Sequence, residues 1–454
     1  MNSSPVCYVV LRFVRGWCCF CAITALLAEP DPAALLANDW TKFQCGVENS
    51  VEQTAVPLRW SPGENIAWEA KIAGYGQSSP VTWESRVYVT SISGPKKEQC
   101  HVTAFDLTTG QRLWQHDLVT ATQAENSNYV SKAAPTPVVD ASGVYCFFEG
   151  GNLVALTHEG QVRWNRNLVE EFGAIESRHG LSASLEQIDD RLFVWVERQT
   201  DPYVLAVEKA SGKNLWKVPG IGATSWASPR LIPVAGGQHL VLSGVGSVRG
   251  LDPQTGQELW KLAGIVGNST PTPVPAGEGR FLIGATQGRG EGGGGNSAES
   301  NGLIRVQKQE DGTYQAEFAW RSKRTTSSFG SPLLHDGLAY YVNSSGVLFC
   351  HDLETGEERF SHRLADSIWA TPFSLGNRLY FFGKGGTVSV IAEGPTFELL
   401  AENKTWNAPE AEGEAKPKAN SFGGGATLYA GIYARDRLLL RRGDALYCVV
   451  APKP

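Results

Sequence analysis

A strand, a tight turn and a second strand are encoded in the stretch Ala104-Phe105-Asp106-Leu107-Thr108-Thr109-Gly110-Gln111-Arg112-Leu113-Trp114. At the start of the turn, Asp106 can accept hydrogen bonds from the backbone amides two and three residues further on. Gly110 supplies the positive φ that such a turn needs. Alternation then resumes and places Leu113 and Trp114 on opposite faces of the second strand. The stretch therefore predicts a β-hairpin that ends on a large aromatic side chain.

The same pattern returns along the chain with varying fidelity. Clear copies end at Trp260 and Phe360, looser copies end at Trp164 and Trp216, and degenerate copies end at Trp320 and Leu399. A further strand of the same kind surrounds Trp68 but has no strands of its own before it. The spacing of about 40–60 residues predicts a repeat architecture, with docking side chains at Trp68, Trp114, Trp164, Trp216, Trp260, Trp320 and Phe360.

Each repeat begins with a small hydroxyl residue followed by proline, which is tolerated where a strand starts. These dipeptides are Ser79-Pro80, Thr136-Pro137, Ser228-Pro229, Thr272-Pro273, Ser331-Pro332 and Thr371-Pro372, with Ser184-Leu185 in the third unit. Near-continuous apolar runs follow, which indicates sheets covered on both faces. The last unit lacks a fourth strand, and the strand at Trp68 can supply it. We therefore predict an all-β fold, an eight-bladed β-propeller of four-stranded antiparallel blades, closed by residues about 64–72.

The chain divides into a leader, a connecting segment and the propeller. Residues 1–28 contain Arg12 and Arg15 and then an apolar run too short for a membrane span, which is typical of a secretory signal peptide. A retained anchor is the less favoured alternative. Residues 29–63 form an irregular segment whose aromatics we expect to dock on the finished propeller, residues 64–454. We expect an exported protein, periplasmic, in the cell envelope or secreted, with no transmembrane span in the mature chain.

Charge and cysteine content exclude several classes of function. A net charge of -6 without a basic stripe argues against nucleic-acid binding. Five cysteines follow the leader, and their odd number and wide spacing indicate neither a disulfide scaffold nor a zinc site. Cys350 and Cys448 occupy the slot that Ala104 fills in the first unit, so we expect both to be buried free thiols.

Two insertions are predicted to be loops. One contains the glycine-rich run 288–295, which matches G-x-G-x-x-G but is followed by no helix pattern, so it does not predict a phosphate cradle. The other, residues 401–424, is polar and rich in Gly and Glu.

The copies at 104–114, 251–260 and 352–360 resemble the pyrroloquinoline-quinone (PQQ) repeat family, whose pattern is Ala-x-Asp-x-x-Thr-Gly-x-x-x-Trp. The resemblance implies the propeller fold. The family includes quinoprotein alcohol dehydrogenases and cofactor-free relatives such as the lipoprotein of the outer-membrane barrel-assembly machinery. The dehydrogenases carry vicinal cysteines, but the only adjacent pair here, Cys18-Cys19, lies in the leader. Their calcium-binding Glu and Asn and their catalytic Asp match no local motif, so no PQQ is expected.

A candidate binding site follows from the position of the first strands. In a propeller these strands line the central channel, and three residues before each proline stand Gln77, Ala134, Ser182, Trp226, Thr270, Phe329 and Trp369. Trp226, Phe329 and Trp369 are predicted to form an aromatic wall at one mouth. Polar side chains just upstream would complete a pocket: Lys132, His179, Asn268 and Asp366. Ordinary blade packing explains the same aromatics and is the favoured alternative.

No metal-ligand spacing and no catalytic constellation is apparent in the channel residues. Our leading hypothesis is therefore a non-catalytic propeller that binds a protein, peptide or small ligand. The second hypothesis is a PQQ- and calcium-dependent dehydrogenase. A hydrolase or lyase that uses channel residues is the third.

Overall fold

The structure is a computed structural model that describes residues 39–45, 56–122, 133–177, 180–198, 200–222, 225–267, 270–286, 296–407 and 426–451. Eight four-stranded antiparallel sheets follow one another in chain order. The predicted eight-bladed β-propeller is confirmed. Both glycine-rich insertions fall largely outside the described residues, as do residues 1–38.

Blades 1 to 4 each contain four consecutive strands. Blade 1 consists of β2 (Val81–Trp83), β3 (Arg86–Ser93), β4 (Gln99–Asp106) and β5 (Arg112–Val119). Blade 2 consists of β6 (Val138–Asp140), β7 (Gly143–Phe147), β8 (Asn152–Leu156) and β9 (Val162–Asn167), after which the short helix α1 (Leu168–Phe172) follows. Blade 3 consists of β10 (Glu186–Ile188), β11 (Arg191–Val196), β12 (Tyr203–Glu208) and β13 (Asn214–Pro219). Blade 4 consists of β14 (Arg230–Val234), β15 (Gly237–Gly244), β16 (Gly246–Leu251) and β17 (Glu258–Ile265).

Blades 5 to 7 repeat this order, and blade 8 takes one strand from the N-terminal side. Blade 5 consists of β18 (Val274–Pro275), β19 (Arg280–Ile283), β20 (Gly302–Lys308) and β21 (Tyr314–Arg321), with a 3-10 turn at Ser297–Ser300. Blade 6 consists of β22 (Leu333–His335), β23 (Leu338–Val342), β24 (Val347–Asp352) and β25 (Glu358–Arg363). Blade 7 consists of β26 (Phe373–Leu375), β27 (Arg378–Phe382), β28 (Thr387–Ala392) and β29 (Leu399–Lys404). Blade 8 consists of β30 (Leu428–Ala434), β31 (Arg437–Arg442), β32 (Ala445–Val449) and β1 (Ile66–Lys71).

The ring is closed by β1, as predicted. This strand pairs antiparallel with β32, and Trp68 lies directly opposite Cys448. Without β1 the outer edge of β32 would present unpaired backbone groups, which are a template for aggregation. The closing strand therefore completes the last blade and covers its edge.

Five of the predicted docking tryptophans join their blade to the next one in the same way. The indole N–H of Trp68 donates to the carbonyl of Leu107 in blade 1 at 3.2 Å. Equivalent bonds run from Trp114, Trp164, Trp216 and Trp320 to His158, Lys209, Pro253 and Leu353, respectively. The glycine of each receiving turn lies flat against the ring, and a Cβ on Gly110 would come within 2.5 Å of Trp68. Glycine is thus required both for its positive φ and for this close approach.

Two other predicted docking residues behave differently. The indole of Trp260 donates instead to Nδ1 of His239, which is in the same blade, at 2.9 Å. As a result the Trp260 ring does not dock on the turn between β20 and β21 of blade 5. A Cβ on Gly312, in that turn, would meet open space. Phe360 contacts Phe397 of the next blade edge-on, with ring centroids 5.9 Å apart.

The assignment of the docking slot to Leu399 is wrong. A bulge at Leu400 follows this residue, so that Ala401, not Leu399, lies opposite Val390. Residues 401–404 consequently belong to β29 and not to the loop predicted from 401 onward. The N-terminal segment packs beside this strand. There the backbone N–H of Trp60 donates to Asn403 at 3.0 Å, and the buried Trp60 side chain packs in the same core as Ala401.

The slot assigned to Cys350 and Cys448 is confirmed. Cys350 lies opposite Phe360, just as Ala104 lies opposite Trp114. Both cysteines are completely buried and unbridged. Burial raises the pKa of both thiols to about 12, so they behave as small apolar side chains.

Candidate functional site

A central cavity of about 1140 Å³ runs along the propeller axis. The seven residues predicted to stand at its wall all line it: Gln77, Ala134, Ser182, Trp226, Thr270, Phe329 and Trp369. They precede the innermost strands and form the rim of one mouth. The hydroxyl residues two positions further on, except Ser331, form the next layer of the wall.

These hydroxyl groups form a belt of hydrogen bonds between blades. The backbone N–H of Ser79 donates to the hydroxyl of Thr136, and the pattern repeats around the cavity at distances of 2.8–3.2 Å. The belt runs through Ser79, Thr136, Ser184, Ser228, Thr272, Ser331 and Thr371. Their side chains therefore satisfy backbone groups that blade packing would otherwise leave unpaired. The belt is structural, and its hydroxyl oxygens are already engaged.

The opposite end of the cavity is crossed by residues 39–45, which we call the plug. The backbone of Trp40 pairs with Thr82 of blade 1, and the carbonyl of Thr41 accepts from Val139 of blade 2. The carboxylate of Asp39 accepts two hydrogen bonds from Arg435 of blade 8, both at 2.8 Å. The expectation that N-terminal aromatics dock on the finished propeller is confirmed.

The floor of the cavity is built where the plug meets blades 3 and 4. Lys42 forms an ion pair with the buried Glu186 at 2.6 Å. Arg230 donates to the carbonyls of Phe43 and Gln44 at 3.2 and 2.9 Å. Its guanidinium is the only charged group among the described residues that line the cavity. The plug is thus held by charge pairs and carbonyl contacts, not by apolar packing alone.

Aromatic side chains line the mouth of the cavity that lies opposite the plug. Phe329 packs edge-on against Trp369 with ring centroids 4.9 Å apart, and the ammonium of Lys384 lies 4.1 Å above the Trp369 ring. Phe329 nevertheless remains 45% exposed. Trp226 stands apart from this pair, and its indole donates to the carbonyl of Gly180 at 3.1 Å. The predicted aromatic wall is therefore a contacting pair plus one separate tryptophan.

Of the four polar residues predicted for the pocket, only Asp366 lies among the described residues. Lys132, His179 and Asn268 lie outside the described residues. Asp366 is not part of the cavity wall. Its carboxylate accepts hydrogen bonds from the backbone N–H groups of Ser367 and Gly385, each at 2.7 Å. Asp366 thus fixes a turn between neighbouring blades.

The described wall does not fit a calcium-bound quinone. Calcium takes carboxylate and other oxygen ligands, and a quinone carboxylate needs a cationic partner. No Asp or Glu is among the described residues that line the cavity, and the one lining cation, Arg230, is already committed to plug carbonyls. Over the described ranges no three His, Cys, Asp or Glu side chains are grouped as metal ligands. We derive no redox step from this cavity.

Sequence reasoning missed the floor of the site. Arg230 lies two residues after Ser228 in the same innermost strand, so period-two alternation could have placed it in the channel. Phe43 and Gln44 lie outside the repeats, so no strand pattern predicts their position. They line the cavity only because the plug crosses its end. Tyr429, which also lines the cavity, was missed because blade 8 has no Ser-Pro or Thr-Pro dipeptide to mark its first strand.

Three solved structures share the fold along most of their length: BamB from Moraxella catarrhalis (15% identity, 85% of this chain, 98% of that chain, TM-score 0.55), a quinohemoprotein alcohol dehydrogenase from Comamonas testosteroni (13%, 93%, 84%, 0.57) and a europium-containing methanol dehydrogenase (12%, 91%, 91%, 0.56). At these identities the likeness concerns the fold alone. No curated protein sequence matches the chain significantly.

One protein family matches most of the propeller. It is described as outer membrane protein assembly factor BamB, and it covers residues 58–201, 200–288 and 300–441. These segments contain the repeat copies that carry the resemblance to PQQ repeats and all eight blades in whole or in part. The chain therefore belongs to the family of PQQ-like repeat propellers that is described as outer membrane protein assembly factor BamB.

Proposed function

We propose that this protein is an exported binding propeller that holds a partner at the open mouth of its cavity and performs no chemistry there. The observation that carries the proposal is the aromatic rim. Phe329 stays 45% exposed beside Trp369, although large apolar side chains are usually covered. Exposed aromatics beside a concave surface are typical of binding sites. Among the described residues of the wall behind them, the hydroxyls are already bonded between blades and no carboxylate is present.

The partner that fits best is a segment of another protein. The cavity volume of about 1140 Å³ exceeds the 300–1,000 Å³ that is usual for small-molecule pockets. Lys384 above Trp369 adds a positive charge to the rim, which favours a segment that carries carboxylates. The family match supports the same reading, because its description names an assembly factor for outer membrane proteins. A small ligand remains the alternative occupant.

Export is part of the proposal. It rests on the charged and apolar leader at residues 1–28, which has the layout of a cleaved signal peptide. Among the described residues, no helix combines the length and apolar composition of a membrane crossing. Mass spectrometry of the mature N-terminus after expression in a bacterial host tests this directly. An N-terminus at Met1 in the cytoplasmic fraction would contradict export.

The binding proposal is tested with variants of the rim. Tagged wild-type protein, Trp369→Ala, Trp226→Ala and a control variant, Leu399→Ala, are used as baits in envelope extract. Leu399 is also 45% exposed but lies on an outermost strand far from the mouth. We expect the Trp369→Ala variant to lose captured protein selectively, because it removes both the partner of Phe329 and the surface under Lys384. Equal capture by all four baits would refute a site at the mouth.

The second candidate function is a quinone-dependent dehydrogenase, which the structural likeness to quinoprotein enzymes keeps in view. We expect no stoichiometric uptake of PQQ after incubation with PQQ and calcium, and no oxidation of alcohols or sugars. Stoichiometric uptake with substrate-dependent dye reduction that a chelator abolishes would promote the dehydrogenase over the binding module.

A further inference from the structure

Three side chains on one face of blade 1 form a continuous hydrogen-bonded chain outside the cavity. The hydroxyl oxygen of Ser93 lies 2.7 Å from Nε2 of His101. On the other side of the imidazole, Nδ1 lies 2.6 Å from a carboxylate oxygen of Asp117. A hydroxyl, an imidazole and a carboxylate in this order are the constituents of a nucleophilic acyl-transfer site.

The register of three adjacent strands creates this arrangement. His101 on β4 lies opposite Ser91 on β3 and opposite Asp117 on β5. Ser93 is two residues beyond Ser91 and therefore points to the same face of the sheet. Strand β2 begins at the cavity rim, and β3 runs antiparallel to it. The end of β3 with Ser93 therefore lies on the same side of the propeller as the rim.

The hydrogen bonds assign a role to each nitrogen of the imidazole. Asp117 can only accept when ionised, so Nδ1 of His101 donates to it and Nε2 is left to accept from the Ser93 hydroxyl. Gln115 donates a second hydrogen bond to the same carboxylate oxygen at 2.8 Å. Partial burial acts to raise the pKa of Asp117, but the hydrogen bonds from His101 and Gln115 outweigh it and hold the pKa below its usual range.

The reacting end of this chain lies at the partly exposed end of β3. Ser93 is half-buried at the last position of β3, and the exposed residues Gly94, Pro95 and Lys96 follow it. The His101 side chain is only 8% exposed, whereas Asp117 is 55% exposed. Gly94 adopts a φ of 95°, a conformation that brings its backbone out of the strand.

A similar pair in blade 6 shows what distinguishes this site. Thr325 contacts Nε2 of His351 at 2.8 Å, but Nδ1 of that imidazole faces the carbonyl of Gly356, and both side chains are buried. A carbonyl orients an imidazole but adds no negative charge to stabilise an imidazolium. The blade 6 pair is therefore a structural contact, whereas blade 1 has both the carboxylate and the accessible hydroxyl.

We propose that Ser93 is the nucleophile of a second, hydrolytic site that cleaves small carboxylic esters, with His101 as the general base and Asp117 as a positioning residue. Nε2 of His101 takes the hydroxyl proton while Ser93 Oγ bonds to the acyl carbon. The tetrahedral adduct then expels the alcohol, which receives that proton from His101. Water, deprotonated by His101, attacks the acyl-serine ester, and the second tetrahedral adduct releases the carboxylic acid and Ser93, whose Oγ receives the proton from His101. Ester and water are thus converted to acid and alcohol with no other reactant.

The proposal is tested with the purified full chain, using p-nitrophenyl acetate as substrate and a fluorophosphonate as covalent probe. We expect one phosphonate adduct, located on Ser93 by peptide mass spectrometry, and ester hydrolysis that phosphonylation abolishes. Ser93→Ala should remove the adduct, and His101→Gln should slow labelling at least about 100-fold. Ser91→Ala is the matched control, since Ser91 is on the same strand and face but donates to the carbonyl of Ala73. It should label at the wild-type rate.

A purely structural network would give different results. Asp117→Asn should slow labelling by at least about 10-fold and Asp117→Glu should recover part of the rate, while the melting temperature of both stays near that of the wild type because Asp117 is exposed. If the wild-type protein takes up no probe, or takes it up at another residue, Ser93 is not a nucleophile. If Ser93→Ala and His101→Gln lower the melting temperature but leave probe labelling unchanged, the network only stabilises the fold and the proposal is refuted.

Discussion

Replacing Gly110 by alanine tests whether indole docking holds the blades together. At this position φ is 70° and the new methyl group would lie 2.5 Å from the middle of the Trp68 ring. An L-residue in the left-handed region costs about 1–2 kcal/mol. Displacing the ring adds about 1–3 kcal/mol for overpacking, and losing the indole bond to Leu107 adds about 1 kcal/mol. We expect Gly110→Ala to lower the free energy of unfolding by about 3–6 kcal/mol when these effects combine.

Gly312→Ala is the matched control for this experiment. Gly312 occupies the same turn position in blade 5 with a φ of 86°, but nothing lies within 4 Å of the place where its Cβ would stand. It should cost only the backbone component, about 1–2 kcal/mol. Equilibrium unfolding in guanidinium chloride, followed by tryptophan fluorescence and circular dichroism, gives both midpoints. If the two variants have the same midpoint, the ring contact contributes nothing and the docking argument is wrong.

Three further predictions concern closure, burial and pH. Deleting residues 29–72 should give insoluble protein because the edge of the last blade is exposed; a soluble truncation that unfolds cooperatively would show another means of closure. Cys350 and Cys448 should resist a thiol reagent in the native protein while the half-buried Cys45 reacts, as peptide mapping would reveal. Burial lowers the pKa of His239 from 6.5 to about 4, so the unfolded chain binds more protons between these values, and stability should fall by about 2–3 kcal/mol as the pH drops through this window. His239→Gln should flatten that dependence in urea titrations at each pH.

Local patterns in the sequence were sufficient for most of the fold. The Ser-Pro and Thr-Pro dipeptides mark where the innermost strands begin. The residues three positions before the proline position were therefore predicted to form the cavity rim, and all of them, from Gln77 to Trp369, line the cavity. The orphan strand at Trp68 required a partner, and only an unfinished blade provides one. Both inferences depend on residues close together in sequence, where alternation and turn chemistry decide the structure.

Contacts between residues far apart in sequence were not predictable in this way. Leu399 was mistaken for a docking residue because blade 7 has no tryptophan there, and the buried Trp60 that shares a core with Ala401 comes from the other end of the chain. Similarly, Ser93, His101 and Asp117 match no motif, since separations of 8 and 16 residues become contacts only once the register of three strands is fixed. The sequence contained the register signal, but not which polar residues would share a face.

The pairing of β1 with β32 also sets the order of events during synthesis. The ribosome makes β1 first, yet its partner strand emerges only after roughly 380 further residues, which takes about 20–80 s at 5–20 residues per second. Throughout that interval the growing chain is an open arc of blades with one unpaired strand at its beginning. The long-lived intermediate has an unprotected edge, and a chaperone that covers β1 would serve the folding chain while being excluded from the finished ring.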